Sequence, residues 1–190
     1  MGQAINDALL EACSTGRLDD VNKLIEQGAD PNCKNGDGRT ALMRASKRGY
    51  DEIVKKLLES GADCRARDKN NDTALMRAAF QGESAVVETL VEAGAELDAI
   101  DSKGRTALME SVTGFKVDVI HYLLAKGADV NKRDNEGCTC LMRASYGGYT
   151  DLAIYLLNRG ADKSVKDNAG RTALQYVRDK NNEELINSLK

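Results

Sequence analysis

The chain has 190 residues, of which 42% are hydrophobic, 30% are charged and 4% are aromatic, and its formal net charge is −3. This composition is typical of a globular protein, and the charge provides no general attraction to nucleic acid or anionic membranes. No apolar run approaches the roughly 18 residues that a membrane-spanning helix needs. The first residues, MGQAINDALL, also lack the basic and apolar regions of a secretory signal.

A repeated segment organises the sequence. The segment TALMRAS begins at Thr40, and related segments begin 33 residues apart at Thr73, Thr106, Thr139 and Thr172. A Gly-Ala pair keeps the same step, at Gly28, Gly61, Gly94, Gly127 and Gly160. A fixed period of 20–50 residues is the signature of stacked repeats, each of which is too small to bury its apolar face alone.

The period divides the chain into six segments that form one continuous domain. Residues 1–34 lack the turn and the threonine but keep two helical segments, so they are predicted to be an N-terminal cap. Full repeats are then predicted at 35–67, 68–100, 101–133 and 134–166, followed by a C-terminal cap at 167–190. Polar caps protect terminal apolar faces, which favours a monomer.

The segment from Asp68 to Ile100 shows what one full repeat contains. DKNND is turn material, and the hydroxyl of Thr73 can cap a short helix, ALMRAAFQ, that ends at Gly82. SAVVETLVEA is predicted to be a second helix with one apolar face, and Gly94 closes it. The four methionines at the fourth position of the repeated segment, Met43, Met76, Met109 and Met142, are predicted to fill the space between repeats. A Cu(I) site is disfavoured, because thioethers one repeat apart cannot converge on one ion.

These segments resemble the ankyrin repeat, whose frame is D-x-x-G-x-T, a short helix with PLHxAA, a glycine, and a helix with V-x-x-L-L before GAD. Here the sequence has Ala-Leu-Met where the family usually has Pro-Leu-His. The resemblance implies an all-α repeat solenoid, an ankyrin-repeat stack of antiparallel helix pairs with projecting β-hairpin-like loops. It also implies a non-catalytic protein-protein interaction module that acts as a scaffold, an adaptor or a regulatory binding protein.

In the family, partners bind the hairpin tips and the concave face of the first helices. The corresponding partner-binding residues here are Arg39, Arg44, Lys47, Arg48, Lys69, Arg77, Phe80, Gln81, Lys103, Arg105, Glu110, Thr113, Phe115, Arg143, Tyr146 and Tyr176. The wider strip to which they belong holds 14 lysines and arginines against four acids. Such a strip favours an acidic protein or peptide. Two alternatives stay open, namely an ordinary solvated surface and the binding of nucleic acid or another polyanion.

The third repeat departs most from the pattern. Phe115 stands where the other repeats have glycine, and Glu110 replaces the arginine found at 44, 77 and 143. The sequence leaves two interpretations open, which are local repacking and a contact with a partner.

The residues that most often carry catalysis are sparse. His121 is the only histidine and is predicted to lie on the outer side of a second helix. The five cysteines are odd in number and do not follow the repeat, so they are predicted to be reduced thiols in the cytoplasm. We therefore predict no enzymatic activity, no metal and no cofactor.

Overall fold

The computed structural model describes residues 2–190, and the chain forms two compact units, 1–96 and 97–190. The helices of the first unit are α1 (Gly2–Thr15), α2 (Leu18–Glu26), α3 (Ala41–Lys47), α4 (Asp51–Glu59), α5 (Ala74–Gln81) and α6 (Ser84–Glu92). The helices of the second unit are α7 (Ala107–Thr113), α8 (Val117–Ala125), α9 (Cys140–Gly147), α10 (Thr150–Asn158), a 3-10 helix (Ala173–Tyr176) and α11 (Glu183–Leu189).

Threonine begins the short first helix of each pair. The hydroxyl groups of Thr40, Thr73, Thr106 and Thr139 each accept a hydrogen bond from the methionine N–H three residues later, at 3.2–3.4 Å. The bond satisfies one of the N–H groups that have no partner in the first turn of a helix. The predicted capping role of this threonine is confirmed.

Glycines in the left-handed region end the helices. Gly82 follows α5 with φ +86° and donates its N–H to the carbonyl of Ala78 at 2.9 Å. Gly94 adopts φ +88° after α6, and its N–H bonds to Val91 at 3.0 Å. A side chain at such a φ is strained, which explains why glycine recurs there.

The repeated segment supplies the core of both units. Met43, Met76, Met109 and Met142 are all buried, which confirms their predicted packing role. In each repeat the first helix packs on the second. In the first unit α3 packs on α4 and α5 on α6, and in the second unit α7 packs on α8 and α9 on α10. First helices also pack on one another, α1 on α3 and α3 on α5, and likewise α7 on α9.

The projecting loops are turns rather than strands. Within residues 2–190 there is no strand, and the only bridge outside the helices joins Lys34 to Thr40. An aspartate or asparagine opens each turn, and its side chain accepts the N–H groups two and four residues later. These residues, which we call the turn residues, are Asn35, Asp68, Asp101, Asp134 and Asp167. Consecutive tips are joined by bonds such as Lys69 N–H to the Asp37 carbonyl at 3.0 Å.

None of the helices within residues 2–190 combines the length and the apolar character that crossing a membrane requires.

Candidate protein-binding surfaces

The turn residues also organise the face of the first helices. The outer carboxylate oxygen of Asp68 accepts from the guanidinium of Arg77, nine residues later, and the same oxygen of Asp134 accepts from Arg143. In the last turn, Tyr176 is the residue at this spacing, and its hydroxyl donates to Asp167 at 2.6 Å. Each such pair fixes a loop tip onto the first helix of its own repeat.

Glu110 breaks this rule without leaving its turn unpaired. A glutamate cannot pair with Asp101, and instead Arg105 bridges both acids: its guanidinium lies 2.9 Å from Glu110 Oε1 and 2.9 Å from Asp101 Oδ2. The arginine thus sits in the turn rather than on the helix, while the carboxylate sits on the helix. In the third repeat the arginine that pairs with the turn aspartate therefore lies in the turn, and not on the first helix as in the second and fourth repeats.

The same unit therefore recurs in both halves: an Asx turn, a threonine-capped short helix, a left-handed residue that is glycine except at Phe115, and a second amphipathic helix. The chain belongs to the ankyrin-repeat family. The family description "Ankyrin repeats (3 copies)" matches residues 9–101, 94–167 and 117–190. A comparison with curated proteins gave no significant match.

As an ankyrin-repeat protein, the chain has the predicted fold class, an all-α repeat solenoid. Ankyrin repeats are generally protein-protein interaction modules and are typically non-catalytic. A binding site is therefore expected among side chains of the loop tips and first helices that make no framework contact.

In the first unit the predicted site residues fall into two groups. Arg39, Arg44, Lys47, Arg48 and Arg77 line one small cavity of about 190 Å³, together with Ser14 and Met43. Lys69, Phe80 and Gln81 are not part of its lining, although Lys69 is exposed and Phe80 is 47% exposed.

In the second unit a larger groove of about 590 Å³ brings together four of the predicted residues, Thr113, Arg143, Tyr146 and Tyr176. It is also lined by Asp134, Glu136, Cys138, Met142, Gly147, Tyr149, Arg171 and Arg178. Lys103, Arg105, Glu110 and Phe115 are outside this lining; Glu110 is buried in the ion pair described above. We call this cavity the tyrosine groove.

Tyr146 is the most prominent side chain of the tyrosine groove. Its ring is 56% exposed, and the guanidinium of Arg178 lies 5.0 Å from the ring centre. Arg143, another residue of the lining, donates to the Thr113 hydroxyl at 3.3 Å. An exposed ring beside the Arg178 guanidinium offers an apolar surface and a positive charge to the same ligand.

Phe115 occupies the position of a left-handed glycine. Its φ is +53°, whereas Gly49, Gly82 and Gly148 hold the equivalent place at +73°, +86° and +70°. The ring is 47% exposed and lies 4.4 Å, centre to centre, from Tyr149, which lines the tyrosine groove. A phenylalanine therefore stands at a position where the backbone conformation favours glycine.

We expect Phe115→Gly to change the free energy of unfolding by no more than about 1 kcal/mol. Relief of the left-handed conformation, worth about 1–2 kcal/mol, offsets the lost ring contact of about 0.5–1.5 kcal/mol. If the ring serves binding, the affinity for a groove ligand falls several-fold while stability holds. Urea denaturation and titration with that ligand measure both quantities, and Val117→Ala on the neighbouring helix is the control. Unchanged affinity with a loss of stability above about 2 kcal/mol would make Phe115 a packing residue only.

Tyr176 acts as a hydrogen-bonding centre at one end of the tyrosine groove. Its hydroxyl accepts from Arg171 at 3.0 Å and lies 3.0 Å from the Cys138 sulfur, in addition to its bond to Asp167. The Tyr176 hydroxyl, with the backbone N–H of Arg171, holds the pKa of the Asp167 carboxyl well below its usual range. Burial and the bond to Asp167 in turn raise the pKa of Tyr176.

Tyr176→Phe should therefore raise the pKa of Asp167 towards the ordinary value. A carboxyl whose pKa is lower in the folded state stabilises the fold fully above its unfolded pKa of about 4, and the stabilisation is lost as the pH falls towards the folded value. The variant should lose less stability than wild type on acidification below pH about 4. A ¹³C titration of the Asp167 carboxyl checks the shift, with Tyr122→Phe as control. An unaltered pKa would show that the backbone N–H groups alone depress it.

Among the cysteines and the histidine, only Cys138 lines either of the two cavities. Burial raises the pKa of Cys13 to about 12 and that of Cys140 to about 12, so these thiols are protonated at neutral pH. His121 is exposed on α8, as predicted, with its ring 4.3 Å from Tyr155.

Sequence reasoning missed three contributors to the tyrosine groove. Tyr149 precedes α10, and Arg178 follows the 3-10 helix, so neither stands in the tips or first helices from which the site was predicted. The sequence predicts Cys138 only to be a reduced thiol and does not indicate that it lines a groove. The signal available for Tyr149 was its place beside two glycines, where its ring would meet any Cβ at Gly147.

Proposed function

We propose that the protein is a non-catalytic interaction module that binds an acidic segment of a partner protein. The observation that carries this proposal is the tyrosine groove of the second unit, whose lining holds the exposed ring of Tyr146 together with Arg143 and Arg178. Tyrosine and arginine are enriched among residues that dominate the energetics of interfaces. A groove of about 590 Å³ is large enough for one or two side chains of a bound segment.

Charge favours an acidic ligand at this groove. Arg143 is already paired with Asp134, whereas Arg178 makes no ion pair within residues 2–190 and lies over the Tyr146 ring. A carboxylate approaching that ring would gain a charge-assisted contact with Arg178. We therefore propose a segment that carries an apolar or aromatic side chain for the Tyr146 surface and an adjacent aspartate or glutamate.

The alternative, binding of nucleic acid or another polyanion by the basic strip, has less support. Arg77, Arg105, Arg143 and Arg171 are all paired with the turn aspartates, so much of the strip's positive charge is neutralised within the protein. Polyanion binding would show a steep loss of affinity with salt. We also propose that the protein works in a reducing compartment such as the cytoplasm, on the basis of its unpaired cysteines, and as a monomer, on the basis of its polar terminal caps.

Tyr146→Ala should weaken binding to a groove ligand by at least about tenfold, since it removes the central aromatic contact. Peptides selected on the immobilised wild-type protein from a random display library supply the ligand, and they should be rich in aspartate and glutamate. Calorimetric titration of each peptide gives the affinity.

Tyr155→Ala is the matched control, because Tyr155 is on α10 and does not line the tyrosine groove. It should leave the affinity within about twofold. Equal losses in both variants, or a selection without acidic residues, would contradict the proposed function.

A further inference from the structure

The small cavity of the first unit has an unusual lining. Four arginines and lysines that belong to or flank α3 (Arg39, Arg44, Lys47, Arg48) and one from α5 (Arg77) surround it, with the Ser14 hydroxyl of α1. No carboxylate is among the lining residues, in contrast to the tyrosine groove, where Asp134 and Glu136 take part. We call this cavity the arginine pocket.

One substitution in the turn explains why Arg44 is available. Arg44 stands at the spacing at which Arg77 and Arg143 pair with a turn aspartate, but the turn residue of its repeat is Asn35. Asn35 Oδ1 accepts the N–H groups of Asp37 at 3.0 Å and Arg39 at 2.9 Å, as the aspartates do in their own turns. The other polar group of the Asn35 side chain is an NH₂, which only donates hydrogen bonds and therefore cannot pair with a guanidinium.

Arg44 consequently has a polar contact but no counter-ion. Its Nη1 donates to Ser14 Oγ at 2.8 Å, and its buried Nε has no hydrogen-bond partner within residues 2–190. Lys47 and Arg48 are exposed and, in the same part of the chain, form no ion pair. Three cations of the arginine pocket are therefore not neutralised.

The charge balance of the arginine pocket matches a dianion. Of its five cations, Arg39 pairs with Asp37 at 3.3 Å and with Asp68 at 3.7 Å, and Arg77 pairs with Asp68 and with Asp72 at 3.0 Å. Five positive side chains against these three aspartates leave two positive charges. A cavity of about 190 Å³ is large enough for a phosphate group.

We propose that the arginine pocket binds a phosphate monoester dianion, carried by a phosphorylated serine or threonine of a partner protein. The source of the phosphate rests on the proposed function, because it takes the ligand to be a protein. A phosphate monoester presents three acceptor oxygens and close to two negative charges at neutral pH, so each of Arg44, Lys47 and Arg48 can meet one oxygen. A carboxylate has two oxygens and one charge, and it would leave one cation unmatched.

The pH dependence follows from the ligand. A phosphate monoester gains its second charge near pH 6, whereas arginine and lysine stay protonated throughout pH 5–8. The charged groups at the pocket are its own five cations and the three aspartates that pair with two of them, and the Glu83 carboxylate lies beside Gly49, the residue that follows Arg48. Affinity for the phosphate should rise between pH 5 and pH 7.5, while affinity for a carboxylate should stay constant.

The test is a calorimetric titration of the full chain with a hexapeptide that carries one phosphoserine. The same peptide with glutamate and glycerol 3-phosphate are the other probes. The phosphopeptide should bind about tenfold more tightly than the glutamate peptide, and more tightly at pH 7.5 than at pH 5. Equal affinity of the two peptides, or no rise with pH, would overturn the proposal. Tighter binding of glycerol 3-phosphate would overturn the assignment to a phosphorylated protein.

Asn35→Asp identifies the arginine pocket as the site. It gives this turn the aspartate that the other four turns have, so the fold should be retained and Arg44 should gain an internal counter-ion. Affinity for the phosphopeptide should fall about tenfold, and Arg44→Gln should produce a similar loss. Asn158→Asp on α10 adds the same charge elsewhere and should change the affinity less than twofold.

The outcomes separate this proposal from the proposed function. Asn35→Asp leaves the tyrosine groove unchanged, and Tyr146→Ala leaves the arginine pocket unchanged. Loss of phosphopeptide binding in Tyr146→Ala but not in Asn35→Asp would overturn the arginine pocket. Phosphopeptide binding that depends on Asn35, with no peptide selected by the tyrosine groove, would support the arginine pocket and contradict the proposed function.

Discussion

Asp134→Ala is expected to lower the free energy of unfolding by about 3 kcal/mol, the largest effect that we predict for a polar residue. Asp134 is buried at its carboxylate, where it accepts from the N–H groups of Glu136 and Cys138 at 2.9 Å each and from Arg143. Alanine removes all three bonds and leaves a largely buried guanidinium without its partner, which is costly.

Asp134→Asn separates the two roles of this side chain. The amide oxygen can still hold the turn, as Asn35 does in the first full repeat, so only the ion pair with Arg143 is lost. We expect a loss of about 1–2 kcal/mol, together with tighter binding of acidic peptides to the tyrosine groove because Arg143 becomes available. Urea denaturation measures the stabilities. Equal stability losses in the two variants would show that the turn bonds contribute little.

Met109→Ala should cost about 2–5 kcal/mol of unfolding free energy. Met109 is fully buried in α7, and its replacement removes the side-chain contacts and leaves a cavity. Met109→Leu keeps the volume and should cost less than about 1.5 kcal/mol. The contrast tests the interpretation that the repeated methionines are packing residues. If the leucine variant is as unstable as the alanine variant, the thioether stabilises the fold by more than its volume and apolar contacts.

The sequence predicted the framework well because each framework residue satisfies a local requirement. Thr73 caps a helix within three residues, and Gly82 supplies a left-handed φ at a helix end, so both roles can be deduced without tertiary information. The buried methionines follow from the same periodicity. The repeated spacing then indicates which elements stack, because no repeat can bury its apolar face alone.

The candidate sites were less predictable because they depend on pairings between a turn and a helix. The basic strip contains many arginines, and the residue nine positions earlier decides which of them is neutralised. Asp68 neutralises Arg77, whereas Asn35 cannot neutralise Arg44. That rule becomes visible only when Asp68 and Arg77 are seen in contact. Phe115 is a similar case: its unusual place was evident in the sequence, whereas its contact with Tyr149 depends on how α7 and α9 pack.

The most direct test of the account is a chemical-shift map of the ¹⁵N-labelled protein titrated with an acidic peptide selected on wild type. The tyrosine groove predicts the largest amide shifts at Thr113, Arg143 and Tyr146, with small shifts at Ile154 and Asn158 on α10. Shifts concentrated on α8 and α10, with the groove residues unaffected, would contradict the proposed binding surface and place the interaction on the second helices.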